Sequence, residues 1–92
     1  MTENTVFTSR DLTLTFFPAG FIVDCPSGFS SYRYLSLNSV SRIKVGLDII
    51  MTGSSLVSEL VFASASDADE VMETIRRRVK AAYAEEKTAV TL

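Results

Sequence analysis

Residues 59–79 read ELVFASASDADEVMETIRRRV, and the period of their apolar residues changes near Ser64. Upstream of that point apolar residues mostly alternate with polar ones, the two-residue period of a half-buried strand. Downstream, Ala68, Val71, Met72, Ile75, Val79 and Ala82 recur at helical spacing. The chain therefore reads as an α+β fold. An antiparallel, bent β-sheet of about six to seven strands is followed by one C-terminal amphipathic α-helix packed on it.

Working outward, Ser66 offers an N-cap, and Asp67, Asp69 and Glu70 suit the positive end of the helix dipole. The helix is expected over 66–86, with a β-prone tail at 87–92 in which Val90 and Leu92 alternate. Upstream, Ile43, Val45, Leu47, Ile49 and Met51 alternate as one strand, and Gly53-Ser54 suits a type II′ turn. That turn pairs Met51 with Leu56, Leu47 with Leu60 and Val45 with Phe62 on the face that receives the helix.

Earlier still, residues 5–9 and 12–16 read as strands separated by Arg10-Asp11. The turn at Pro18-Ala19-Gly20 pairs Phe16 with Phe21 and Leu14 with Val23 if its loop has two residues, and shifts that register by one if it has three. Residues 32–37 read as a further strand, ended by Asn38-Ser39. The expectation is a single domain over 1–92, with strands across 5–63.

Length and composition bound the function. A chain of 92 residues supports one modest core. Nine Lys and Arg stand against eleven Asp and Glu, a formal net charge of −2, so the positive field of a typical nucleic-acid binder is missing. The absence of histidine removes the commonest general base and metal ligand. The one cysteine, Cys25, allows no internal disulfide and points to a reducing, cytoplasmic setting. It reads as a small strand-end residue, because no histidine or adjacent base would activate its thiol. No apolar run reaches the roughly 20 residues of a membrane span. The first ten residues lack the apolar core of a secretion signal.

No catalytic constellation, metal set or cofactor motif emerges, and a non-enzymatic role is expected. Three surface features stand out. Tyr32 and Tyr34 flank Arg33, and tyrosine and arginine are enriched at binding surfaces. With Leu35 and Leu37 turned inward, both tyrosines lie on the opposite face and are available to stack on a planar ligand. Arg76 and Lys80 share one edge of the helix, while Arg77 points away from its apolar stripe and pairs with Glu73. Ile50, Val57 and Val61 occupy the strand face that should be polar, beside the opposed carboxylates Asp48 and Glu59. Something is expected to cover that face.

The segments YRYLSLNSVSRIKV (32–45) and ELVFASASDADEVMETIRRRV (59–79) give an order of elements that resembles a small bacterial PH-like or GRAM-like domain. The resemblance spans about 5–80. It implies antiparallel strands in a bent sheet, or in two near-orthogonal sheets, with the C-terminal helix closing the open end. Lipid-binding members concentrate basic residues in the first inter-strand loop; here that loop has only Arg10, and the chain has no tryptophan. Members that do not bind lipid act as protein-binding or self-assembling modules.

Two functions follow as expectations. The first is a binding or adaptor module that self-associates, with a dimer favoured and with Ile50, Val57, Val61, Val90 and Leu92 at the interface. Another protein is a further partner under this reading. The alternative is a receptor or sequestering protein for a small phosphorylated or nucleotide-like ligand, of the kind a phage or mobile element uses as an inhibitor. Its site would comprise Tyr32, Arg33, Tyr34, Arg76 and Lys80.

Overall fold

The structure, a computed structural model, describes residues 4–90, with side chains as far as Glu86. Seven antiparallel strands form two sheets, and one helix follows them. The first sheet has the order β1 (Thr5–Ser9), β2 (Leu12–Phe16), β3 (Gly20–Cys25), β4 (Gly28–Arg33). The second has the order β5 (Leu37–Ile43), β6 (Gly46–Met51), β7 (Val57–Val61), and α1 (Ala65–Val90) packs on both. The α+β class and the strands-then-helix order are those expected from the period change.

The first sheet is a meander built by short turns. Arg10 takes a left-handed φ of 54° between β1 and β2. Pro18-Ala19 forms a two-residue loop, so Phe16 pairs with Phe21 and Leu14 with Val23. Gly20 does not supply positive φ to this turn. It opens β3 opposite Arg33, where a Cβ would overlap the Tyr32 carbonyl oxygen. Close backbone approach, rather than turn geometry, requires glycine there.

Residues 32–37 are not one strand, as their pattern suggests. β4 ends at Arg33, a single 3-10 turn occupies Tyr34–Ser36, and β5 begins at Leu37. The Tyr34 N–H bonds the Ala19 carbonyl at 3.1 Å, and the Thr52 N–H bonds the Ser36 carbonyl at 2.7 Å. This turn passes the chain from one sheet to the other. Asn38-Ser39, expected as a break, lies inside β5 at a register shift against β6.

The alternating run 43–51 is likewise split. Lys44 adopts φ 51°, and Ile43 pairs with Gly46 across a two-residue turn. Such a turn exchanges the faces on which odd-numbered residues lie. Leu47 and Ile49 face the core, whereas Ile43 falls on the outer face and Val45 is left 38% exposed in the turn. Val45 therefore does not help receive the helix.

The second hairpin keeps the expected pairing of Leu47 with Leu60, and Ile50 pairs with Val57. Its turn differs in detail. The Ser54 N–H bonds the Met51 carbonyl at 3.1 Å, so Gly53, at φ 81°, holds the third position of a type II-like turn. Leu56 then precedes β7 and is 79% exposed, with no pairing to Met51.

Ser64, not Ser66, caps the helix: its hydroxyl accepts the Asp67 N–H at 3.2 Å. Helical backbone continues through 87–90, where a β-prone tail was expected, and Leu92 lies outside the described residues. The apolar stripe buries Ala68, Val71 and Ile75 and packs Met72, Val79 and Ala82 against the same cluster. Leu12, Leu14, Phe16, Phe21, Val23 and Tyr32 from the first sheet, Tyr34 from the 3-10 turn, and Leu47, Ile49, Leu60 and Phe62 from the second sheet and its exit complete it. Each fully buried aliphatic side chain contributes roughly 1.5–3 kcal/mol. Among the described residues no helix is long and apolar enough to cross a membrane.

Candidate functional site

The side chains of β5–β7 divide between two faces by strand period. The rows Val40–Ile49–Ser58 and Arg42–Leu47–Leu60 turn toward the helix. The rows Ser39–Ile50–Val57, Ser41–Asp48–Glu59 and Ile43–Gly46–Val61 turn outward. On this outer face Ile43 is 43%, Val57 53% and Val61 39% exposed, and Ile50 is half-buried. The face anticipated from Ile50, Val57 and Val61 thus exists, and the β1–β2 and β3–β4 turns border its Glu59–Val61 side across a cleft of about 460 Å³.

Its polar residues are arranged unevenly. Asp48 and Glu59 sit opposite each other at the centre, as their hairpin register requires. One Asp48 carboxylate oxygen, Oδ1, is buried without a hydrogen-bond partner, while Glu59 is exposed. Lys44 lies at the end of the face, in the turn beside Val61, and lines with Glu59 a small cleft of about 130 Å³. Among the described residues no group of three or more His, Cys, Asp or Glu side chains that could hold a metal ion comes together.

The tyrosines do not form the stacking surface anticipated from sequence. Tyr32 and Tyr34 both point into the core, at 8% and 0% exposure, and Arg33 and Leu35 point out. Their parity is inherited from β3: Tyr32 pairs with Phe21 and stacks on it with ring centroids 5.0 Å apart. Tyr34 lies 6.2 Å from the same ring. Its hydroxyl is buried without completing a hydrogen bond. Burial pushes the Tyr34 phenol above its ordinary value, and the nearby positive Arg78 guanidinium partly offsets that rise.

The basic residues also separate. Arg33 lines a cleft of about 660 Å³ with Pro18, Leu35, Ala82 and the acidic Glu85 and Glu86. Arg76 and Lys80 line a different cleft of about 260 Å³, between α1 and β5. The five residues expected to share one ligand site are therefore divided between the core and two clefts. Arg77 donates to the Thr74 hydroxyl at 3.4 Å, and no Glu73–Arg77 ion pair forms.

Two arginines that the sequence did not single out organise the helix. Arg78 donates to the Phe17 carbonyl at 3.2 Å and to Thr5 Oγ1 at 3.0 Å, with its guanidinium 5.8 Å from the Phe16 ring centre. It joins the middle of α1 to both β1 and the end of β2. Arg42 donates to the Ala65 carbonyl at 2.9 Å and forms an ion pair with Asp69, fixing β5 to the first turns of α1. These partners of Arg78 come from β1 and from the end of β2, more than sixty residues earlier in the chain. Cys25 is half-buried and bonded to the Ser27 hydroxyl at 3.2 Å. Comparison of the chain with protein-family models, with curated proteins and with solved structures finds no match.

Proposed function

We propose that this chain is a non-enzymatic binding module that self-associates as a two-fold dimer through the outer face of β5–β7. The observation that carries this reading is a pair of apolar clusters on the outer face, Ile50 with Val57 and Ile43 with Val61, one on each side of the Asp48–Glu59 row. Isolated exposed apolar residues are ordinary, but several on one face of a small sheet favour a partner.

The charge pattern supports a second copy as that partner. Lys44 stands at one end of the face and Asp48 and Glu59 at its centre. A two-fold axis running through the face brings each lysine toward the acids of the other copy, so the surface is complementary to itself. The interface comprises Ile50, Val57 and Val61; the Val90 side chain and Leu92 lie outside the described residues. The PH-like resemblance remains this reading's account of the strand-then-helix order. A cytoplasmic setting fits the lone, unpaired Cys25.

Sedimentation velocity tests the proposal directly. The wild type should sediment as a dimer at micromolar concentration. V57D should sediment as a monomer with its thermal midpoint little changed, because Val57 is 53% exposed within one chain. K44E should weaken the dimer through like-charge contact, and adding E59K should recover it. A monomeric wild type, or a V57D dimer of unchanged affinity, overturns the reading.

A further inference from the structure

We infer that the groove between β5 and α1 docks an extended acidic segment of a partner protein, which adds to the second sheet as a fourth strand beside β5. The groove lies away from the outer face and does not depend on self-association.

The first observation is a free strand edge. β5 ends its sheet and pairs only with β6 among the described residues. β4, which precedes it in the chain, pairs only with β3. An edge strand presents backbone donors and acceptors that another chain can pair with. The side of β5 away from β6 is such an edge.

The second is the shape beside that edge. α1 runs along β5 and leaves a cleft of about 260 Å³ between them, with Leu37 and Val40 on one wall and Ile75 and Val79 on the other. Ile75 is 1% exposed, so the floor of the cleft is continuous with the core. One end is closed where Arg42 meets Asp69 and the Ala65 carbonyl. The open length, residues 37–40, spans about 13 Å at strand rise, enough for three or four residues of extended chain.

The third is charge. Arg76 and Lys80 stand one helical turn apart on the rim of this cleft, and both are exposed. Neither makes an ion pair or side-chain hydrogen bond among the described residues. A strand seated on β5 turns alternate side chains toward α1. An apolar one fills the space over Val40 and Ile75, and a carboxylate two residues along the same face reaches the two cations. A small phosphorylated ligand would engage the rim and leave both the apolar floor and the strand edge unused. A second copy bringing its own β7 to this edge would make a head-to-tail contact that does not close.

The test titrates the isotopically labelled full chain with a blocked pentapeptide that carries glutamate at its first and fifth positions, valine at its third and serine at the other two, so that the glutamates and the valine share one face, following backbone amide shifts. Shifts should be confined to residues 37–40 and 75–80. Replacing the glutamates with lysine should weaken binding about tenfold or more. N-methylating the peptide backbone, which removes its strand-pairing donors, should abolish binding. The exposed double variant R76E/K80E should retain the wild-type thermal midpoint and lose the peptide. No shifts up to the solubility limit, equal binding of the N-methylated peptide, or the same shifts produced by inorganic phosphate alone would each overturn the proposal.

Discussion

The Ser9 hydroxyl donates to Asp67 Oδ2 at 2.7 Å and accepts the Ala63 N–H at 2.8 Å. One side chain at the end of β1 thereby holds both the segment that leaves β7 and the first turns of α1. Ser9 is 4% exposed, so water does not replace these bonds when they are lost.

Ser9→Ala should therefore leave the Ala63 N–H without its acceptor and Asp67 Oδ2 without its donor. A loss of roughly 1–3 kcal/mol is expected for leaving such groups unsatisfied. Urea denaturation should show a lower midpoint with an unchanged slope. An unchanged midpoint would mean the junction is held by the apolar contacts alone.

Tyr34 presents a different case, a buried hydroxyl that completes no full hydrogen bond yet lies close to the Arg78 guanidinium. Tyr34→Phe keeps the ring beside Phe21 and removes the buried oxygen, so stability should change less than in Ser9→Ala. The titration has a definite sign. The folded-state value is raised above the ordinary 10.0, so the native protein favours the neutral phenol. That contribution is complete below pH 10 and is lost as pH climbs from there through the folded-state value. Wild-type stability should fall over this alkaline range more steeply than that of Tyr34→Phe, as read by denaturation at successive pH values.

Two glycines should respond to substitution for different reasons. At Gly53 the φ of 81° disfavours any side chain although the space around it is open. Gly53→Val should cost about 1–2 kcal/mol from backbone strain. At Gly20 the backbone is ordinary, but a methyl group would collide with the Tyr32 carbonyl. Gly20→Ala should cost more than Gly53→Val, since β3 and β4 must part to accept it. Thermal denaturation of the pair decides the order.

Ile75 is the largest fully buried side chain that α1 places in the core. Ile75→Ala should cost roughly 2–5 kcal/mol, because the atoms around a fully buried aliphatic side chain close the resulting cavity only in part. A loss well below 1 kcal/mol in equilibrium unfolding would show that the helix is held elsewhere.

The candidate surfaces were legible from sequence in proportion to how local their causes are. Val57 follows from a hairpin whose alternation and glycine turn agree, so its outward position could be read directly. Arg76 and Lys80 follow from helical spacing, and they do share a rim. Arg33 was visible as a surface residue, but its separation from that rim depends on where the 3-10 turn carries the chain.

By itself the sequence determined the change of period, and through it the strands-then-helix order, the long helix and the pairing of Leu47 with Leu60, while the pairing of Phe16 with Phe21 stood open between two registers. Each of these is set by residues a few positions apart, whose side chains must share a face whatever the rest of the chain does. Tertiary structure alone decided which face each strand turns inward when its own alternation is ambiguous. Tyr32 and Tyr34 are core residues because β4 must lie in register on Phe21, and the following 3-10 turn carries Tyr34 into the same cluster. Ile43 is a surface residue because a two-residue turn reverses parity between β5 and β6. Arg78 is a clamp because β1 and β2 arrive beside it from the far end of the chain. Such outcomes rest on contacts between residues distant in sequence, and periodicity carries no record of them.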